Sequence, residues 1–200
     1  MARKLIHARI VHSQTDLGSV AQNLAAERKR LSAEAWRDRQ NKVAAFWAGL
    51  RTAVMESVER ELGDAGWGKL RLYQDGMPVG GRTARRMVDE LAGKGSDNYQ
   101  MLKELLDRGA RLEKTEQVDL LREEYRLIRQ IVDAPGPREK TQAQEAYRRR
   151  CRTLLAERDR FIAGRIAQTL REGEVGVLFI GALHQVASYL PGDIHVVSVS

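Results

Sequence analysis

The sequence predicts a helix-rich α/β protein with a small, mostly parallel sheet of about four strands covered by long helices. The chain has 200 residues, of which 42% are hydrophobic and 30% are charged, so it can bury one core. Its short β-branched segments are separated by long helical stretches, which favours parallel crossover connections over hairpins. Residues 175–180 are almost continuously apolar, as is typical of a strand buried on both faces. We therefore expect a single α/β domain over residues 1–200.

The first half of the chain alternates a strand, a long helical region and a second strand. Residues 4–11 are rich in Leu, Ile and Val and predict the first strand. Apolar residues recur every three or four positions over residues 20–62, which predicts helix. Because one helix of that length would be about 60 Å long, we expect a break near Ser32, a suitable N-cap. Residues 69–74 predict the second strand, which ends in an Asp-Gly turn.

The second half is mostly helical until its last strands. Helical patterns cover residues 83–92, 98–108, 116–132 and 139–172, and they predict a helical hairpin-like portion over about 83–172. Thr115 is a candidate N-cap for the third of these helices. A very short strand is expected at residues 110–113. Beyond the buried strand, we expect a short helix and a final strand at residues 194–199.

The net charge is +7 with neutral histidines, from 34 Lys and Arg against 27 Asp and Glu. Most basic residues alternate with acidic ones, but residues 148–152 form a dense Arg-Arg-Arg-Cys-Arg cluster. Aromatic residues make up only 6% of the chain, so a stacking platform for single-stranded nucleic acid is not evident. We interpret the cluster as a solvated helix face, and nucleic-acid binding is the less favoured reading.

Composition also restricts the compartment of the protein. A single cysteine excludes a disulfide framework and a cysteine-based zinc cage. No apolar run approaches the roughly 20 residues that a membrane span requires. The N-terminal segment becomes polar too early for a secretory signal. We therefore expect a cytoplasmic protein with no membrane partner.

Polar side chains follow three of the predicted strands. His12 and Asp16 follow the first strand, Asp75 follows the second, and His184 follows the buried strand. Since ligands of open parallel sheets bind at the carboxyl ends of the strands, we expect these four side chains at one edge. Asp75 and Asp16 have an ordinary alternative as turn or capping residues.

His184 is the most informative of the four. Gly181 lets the chain turn off the strand, so we expect His184 in the first turn of a helix. A helix N-terminus disfavours imidazolium, which leaves a neutral ring that can accept a proton or bind a metal. The alternative is a structural histidine that donates a hydrogen bond to a carbonyl. His7 and His195 lie inside predicted strands, and we expect them to be structural.

Arg158 and Asp159 are neighbours on a helix that is expected to pass this edge of the sheet. Adjacent residues cannot share one helix face. We therefore expect one of the two to point inward and the other to be solvated. The alternative is a pair of ordinary surface charges.

The last part of the chain resembles the TraB/Tiki and erythromycin-esterase/ChaN-like superfamily. In that group an Arg-Asp or Arg-Asn helix precedes a strand that ends in a G-x-x-H motif. Here Arg158 and Asp159 precede Gly173, the buried strand and a G-x-x-H motif from Gly181 to His184. The likeness covers residues 158–199.

The resemblance implies further assignments. The family has a second histidine motif on an N-terminal strand, to which only His12 corresponds, because residues 9–12 lack its glycine or glutamate. Asp75 stands where the family places an acidic residue. The resemblance implies an α/β fold with a histidine-lined pocket. Members of the superfamily include metal-dependent peptidases, esterases that use histidine as base, and haem-binding lipoproteins. The resemblance further implies a bacterial protein.

Together these features predict a hydrolase-like domain that acts on a small molecule or a peptide. His184 and His12 would be catalytic, and Arg158 would stabilise an anionic substrate group or intermediate. In one form, the two histidines and Asp75 or Asp16 hold a divalent metal ion with an open position. In the other form, one histidine is a general base on water, oriented by a carboxylate.

The alternative is a non-catalytic binding or regulatory protein. Its Arg-rich helices would then contact nucleic acid or a partner subunit. The apolar stripe over residues 43–62 would allow pairing between chains, which makes a homo-oligomer a further expectation.

Overall fold

The computed structural model describes residues 3–11 and 32–199. His12 and Asp16 lie outside the described residues, as does the first part of the predicted helical region. In chain order the elements are β1 (Arg3–Ile10), α1 (Ala33–Leu62), β2 (Leu70–Gln74), α2 (Gly81–Gly93), α3 (Asp97–Asp107), β3 (Arg111–Leu112), α4 (Val118–Val132), α5 (Pro137–Thr169), β4 (Val175–Gly181) and β5 (Ile194–Val199). Short 3-10 helices lie at Gly63–Ala65, Trp67–Lys69 and Val186–Tyr189.

The five strands form one sheet in the order β3-β2-β4-β1-β5, and every pairing is parallel. The predicted α/β class is therefore confirmed, with five strands in the sheet. β4 lies at the centre because it pairs with β1 on one side and β2 on the other. Its nearly continuous apolar sequence matches this position, since helices cover both faces of the sheet there.

The sheet separates two apolar layers, and the alternation of side chains along β4 shows this directly. Val177 and Phe179 pack into a layer with the apolar faces of α1, α2 and α3. Leu178 and Ile180 point the other way, into a smaller layer with Ile162, Ala163 and Ile166 of α5. The helices therefore hold β4 rigidly, and the loop that leaves its carboxyl end starts from a well-determined position.

Two capping predictions have different outcomes. The Ser32 side chain accepts a hydrogen bond from the Ala35 N–H at 3.1 Å, which confirms a helix start at this serine. The prediction that Thr115 caps α4 is wrong, because α4 begins at Val118. The Thr115 hydroxyl instead accepts a hydrogen bond from the backbone N–H of Gln74 at the end of β2.

The expected helix at His184 is also different in the structure. The chain makes a turn in which the His184 N–H donates to the Gly181 carbonyl at 3.1 Å. Only the four-residue 3-10 helix Val186–Tyr189 follows. His184 therefore precedes the helix and does not lie in its first turn. Among the described helices, none has the length and apolar composition needed to cross a membrane.

Gly176 of β4 tests how tightly the central strand is packed. A Cβ atom at this position would lie 2.7 Å from Leu5 Cδ1 and 3.2 Å from Tyr73 Cε2. We expect Gly176→Ala to lower the free energy of unfolding by about 1–3 kcal/mol, measured by urea denaturation, because the core must shift to accept the methyl group.

Gly164→Ala is the matched control. A Cβ at Gly164, inside α5, would have open space around it. Alanine should therefore raise the free energy of unfolding there by about 0.5–1 kcal/mol. Equal effects of the two substitutions would contradict the packing described for β4.

Candidate functional site

The carboxyl ends of β2 and β4 lie side by side and bring Asp75 close to His184. The Asp75 N–H donates to the Phe179 carbonyl of β4 at 2.9 Å. Its side-chain Oδ2 accepts a hydrogen bond from the Gly181 N–H at 3.2 Å and lies 3.6 Å from His184 Nε2. Two of the predicted site residues are thus neighbours, at the edge of the sheet where they were expected.

Asp159 holds the other side of the His184 ring. His184 Nδ1 lies 2.5 Å from Asp159 Oδ1, and the Gln185 N–H donates to Asp159 Oδ2 at 2.8 Å. A carboxylate can only accept, so Nδ1 carries the hydrogen in this contact. Asp159 Oδ2 holds the backbone of the residue that follows His184. Asp159 therefore orients both the imidazole and the loop that carries it.

Arg158 donates to three carboxylates from different parts of the chain. Its Nη2 lies 2.7 Å from Asp75 Oδ1 and 2.5 Å from Glu116 Oε1, while Nη1 lies 2.7 Å from Glu124 Oε2. Nε also donates to Glu116, at 3.3 Å. The guanidinium is buried, with 5% of the residue exposed. Its contacts tie the end of β2, the segment before α4, and α4 itself to α5.

The expectation that one of Arg158 and Asp159 is solvated is wrong, because both are buried. Their side chains do point in different directions, as adjacent helical positions must. However, other segments of the chain pack against α5 on both of these sides. α4 and the end of β2 meet Arg158, while the loop after β4 meets Asp159.

The predicted contact of Arg158 with an anionic substrate group is not what the geometry favours. Nε, Nη1 and Nη2 are each directed to a carboxylate. An anion that approached this guanidinium would also approach the three carboxylates around it. The structure gives Arg158 a different role, which is to hold Asp75 in place beside His184.

Burial and the crowding of carboxylates affect the acidity of Glu116. The residue is fully buried. Burial raises the pKa of its carboxyl above the ordinary value; Arg158 opposes this, and the neighbouring Asp75 charge adds to it. Burial alone would lower the pKa of Arg158, but Glu116, Asp75 and Glu124 outweigh burial and raise it. Arg158 therefore stays charged, and Glu116 is the carboxyl that takes up a proton readily.

A cavity of about 480 Å³ opens beside this cluster. Its polar lining includes Gln74, Asp75, Asn98, Glu124 and His184. Its apolar lining comes from β1, α4, α5 and the loop after β4, and includes Ile10, Leu121, Tyr125, Ile128, Leu155 and Leu183. This is the mixture expected of a ligand pocket, in which apolar walls surround a few polar groups.

Several residues of the site were not predicted. Glu116 follows the two-residue strand β3, so the rule that placed Asp75 at a strand end also applied to it. Glu124 lies on α4 and has no such signal in the sequence.

His7 of β1 is buried next to the site. Burial, Arg9 and His184 lower its pKa, and in the part of the chain that the structure describes its Nε2 has no hydrogen-bond partner. His195 is exposed on β5.

The predicted metal ligands are only partly described, since His12 and Asp16 lie outside the described residues. Within residues 3–11 and 32–199, no group of three or more His, Cys, Asp and Glu side chains is arranged to hold a metal ion. Asp75 accepts hydrogen bonds on both oxygens, from Arg158 and from the Gly181 N–H. These described residues therefore do not fit a metal centre by themselves.

The Arg-rich cluster of α5 divides into two parts. Arg150 is paired with Glu123 of α4 and Glu157 of α5, at 2.7 Å each. Arg148, Arg149 and Arg152 are exposed. Part of the cluster thus stabilises the packing of α4 on α5, and the nucleic-acid or subunit contact of the alternative reading stays a prediction.

No protein-family model, curated protein or solved structure matches this chain. The resemblance to the TraB/Tiki and ChaN-like superfamily therefore stays a prediction. A function for this protein has to be inferred from the geometry of the site around His184.

Replacing Arg158 measures how strongly the cluster depends on its cation. We expect Arg158→Met to lower the free energy of unfolding by about 3–5 kcal/mol at pH 7 in urea denaturation, because buried carboxylates lose their partner. The control is Arg152→Met, at an exposed position of the same helix, which should change it by no more than about 0.5 kcal/mol. A loss at Arg158 as small as the loss at Arg152 would show that the cluster is not held by this cation.

The pH dependence of stability tests the raised pKa of Glu116. The folded chain keeps a proton on Glu116 at pH values where the unfolded chain has released it, so wild-type stability falls as the pH rises through that window. Glu116→Gln removes this titration. We expect the stability of the variant relative to wild type to increase from about pH 4.5 upward, with a slope of at most about 1.4 kcal/mol per pH unit, measured by urea denaturation across pH 4–8.

Glu56→Gln, at an exposed position of α1, controls for the removal of one carboxylate. A difference between the Glu116 variant and wild type that stays flat, or that decreases as the pH rises, would contradict a raised pKa.

Proposed function

We propose that this protein is a hydrolase-like enzyme in which His184 is the general base, oriented by Asp159, and the cavity beside it is the substrate site. One observation carries the proposal: the His184 ring lies between two buried carboxylates on the wall of a cavity at the carboxyl edge of a parallel sheet. Buried acid–base groups in a pocket at this edge are typical of catalytic sites.

The hydrogen bonds of the ring support this role. Nδ1–H donates to Asp159, which leaves the lone pair on Nε2. Nε2 can then take a proton from a water molecule while the water oxygen bonds to the carbonyl carbon of an ester or amide. The imidazolium that forms is flanked by Asp159 and Asp75, which stabilise its charge. Nε2 returns the proton to the leaving oxygen or nitrogen as the carbonyl–leaving-group bond breaks.

Asp75 and Arg158 act in this proposal as positioning residues. Arg158 and the Gly181 N–H hold one oxygen of Asp75 each, so the carboxylate cannot rotate away from the ring. Groups fixed by such second contacts keep a catalytic side chain in its productive orientation. Hydrogen-bond donors hold the carboxylates of Asp75 and Asp159, so the proposed steps use these side chains without a metal ion.

A substrate screen with matched histidine variants tests the proposal. Purified protein without an affinity tag is assayed against panels of ester and peptide substrates. We expect turnover that falls by about 10²–10⁴-fold in His184→Ala, because general-base catalysis contributes that much. His195→Ala removes an exposed histidine of β5 and should leave the rate unchanged.

Asp159→Asn tests whether the charge of Asp159 orients the His184 ring for catalysis. The amide cannot take the place of a charged acceptor for Nδ1–H, so kcat should fall while KM changes little. Absence of turnover on every panel, or turnover that His184→Ala retains, would remove the enzyme proposal.

A further inference from the structure

Two buried side-chain amides line the same cavity, and the proposed chemistry uses neither of them. Gln74 is the last residue of β2, and Asn98 lies in the first turn of α3. Each is about 1% exposed, and both line the cavity. Among the described residues, Gln74 Oε1, Asn98 Oδ1 and Asn98 Nδ2 have no hydrogen-bond partner. Since buried polar atoms are nearly always paired, these atoms point to a ligand.

The unpaired atoms define the ligand group that would complete them. Gln74 Nε2 already donates to the Asp75 carbonyl at 3.2 Å, so Gln74 offers one acceptor. Asn98 offers one acceptor and one NH₂ donor, and exchanging its two terminal atoms leaves this inventory unchanged. A primary carboxamide carries the complement, which is two N–H donors and one carbonyl acceptor.

The charges around the cavity disfavour an anionic ligand. Its charged lining groups include Asp75 and Glu124, while Arg158 directs its donors to carboxylates. A ligand carboxylate would therefore lie against like charges, and the charge of Arg158 is already offset by the carboxylates around it. A carboxamide has nearly the same shape as a carboxylate and avoids that repulsion. The apolar side chains of Leu121, Ile128 and Leu155 can pack against the remainder of such a ligand.

We infer that the cavity recognises substrates through a primary carboxamide held by Gln74 and Asn98. This inference depends on the proposed function, because it takes the cavity beside His184 as the substrate site, and it adds the class of substrate. The amide pair recognises the substrate, while His184 acts on a different bond of the same molecule.

Three small ligands of similar shape test the inference on the wild-type protein. Benzamide, benzoate and N,N-dimethylbenzamide are titrated into ¹⁵N-labelled protein, and dissociation constants are read from NMR shifts. We expect benzamide to bind about tenfold or more tightly than the other two, since benzoate adds a charge and the dimethyl compound lacks N–H donors. The side-chain NH₂ signal of Asn98 should shift only with benzamide. Equal dissociation constants for all three would overturn the inference.

Variants assign the preference to the amides. Asn98→Leu should reduce the benzamide preference to within about twofold, whereas Gln100→Leu, at an exposed position of the same helix, should keep it. Gln74→Met provides the same test at the second amide. It replaces Asn98→Leu if circular dichroism shows that the Asn98 variant is not folded. A full preference in either folded cavity variant would overturn the assignment.

The binding test and the turnover test can fail independently of each other. A benzamide preference without activity on any substrate panel would leave the amide site standing and remove the hydrolase proposal. Activity that depends on His184, without a benzamide preference, would remove the amide site alone.

Discussion

The buried guanidinium of Arg158 determines how the carboxyl edge of the sheet is organised. A buried charge is tolerated only when it is paired and hydrogen-bonded, so Arg158 draws carboxylates from the end of β2, from the segment before α4 and from α4 into one cluster. Removing that cation would leave Asp75, Glu116 and Glu124 close together without the donor that they share.

This cluster has a consequence for the chemistry next to it. Its carboxylates outnumber its one permanent cation, and Asp159 adds a further carboxylate on the other side of His184. Burial is the main cause that raises the pKa of Glu116, and the nearby Asp75 charge adds to it. In the proposed mechanism, Asp75 and Asp159 stabilise the imidazolium that forms at His184. The three carboxylates around Arg158 disfavour the expected contact of this residue with an anion.

The sequence could predict the features that follow from local pattern and from sheet geometry. The apolar run of β4 placed it at the centre of the sheet, and the rule for strand ends brought Asp75 and His184 together. The same rule, applied to β3, would have found Glu116. What it could not predict depends on packing between distant segments. Arg158 and Asp159 are both buried because α4 and the loop after β4 enclose α5 from two sides, and nothing near residue 158 encodes that enclosure.

The short 3-10 helix after β4 shows the same limit at a smaller scale. Residues 184–189 have a helical pattern, but Asp159 accepts the Gln185 N–H and holds His184 in the preceding turn. A tertiary contact thus orients the imidazole. The predicted placement of His184 at the sheet edge was correct, whereas the predicted position of His184 in the first turn of a helix was wrong.

The tautomer of His184 is the most direct measurement of this arrangement. In ¹⁵N-labelled protein at a pH where the ring is neutral, long-range ¹H–¹⁵N correlation spectra distinguish the two ring nitrogens. Our account predicts hydrogen on Nδ1, bonded to Asp159, and a lone pair on Nε2, with the distribution of the two tautomers shifting in Asp159→Asn. Hydrogen on Nε2 in the neutral wild-type ring would contradict it, because the nitrogen assigned as the base would then have no lone pair to accept a proton.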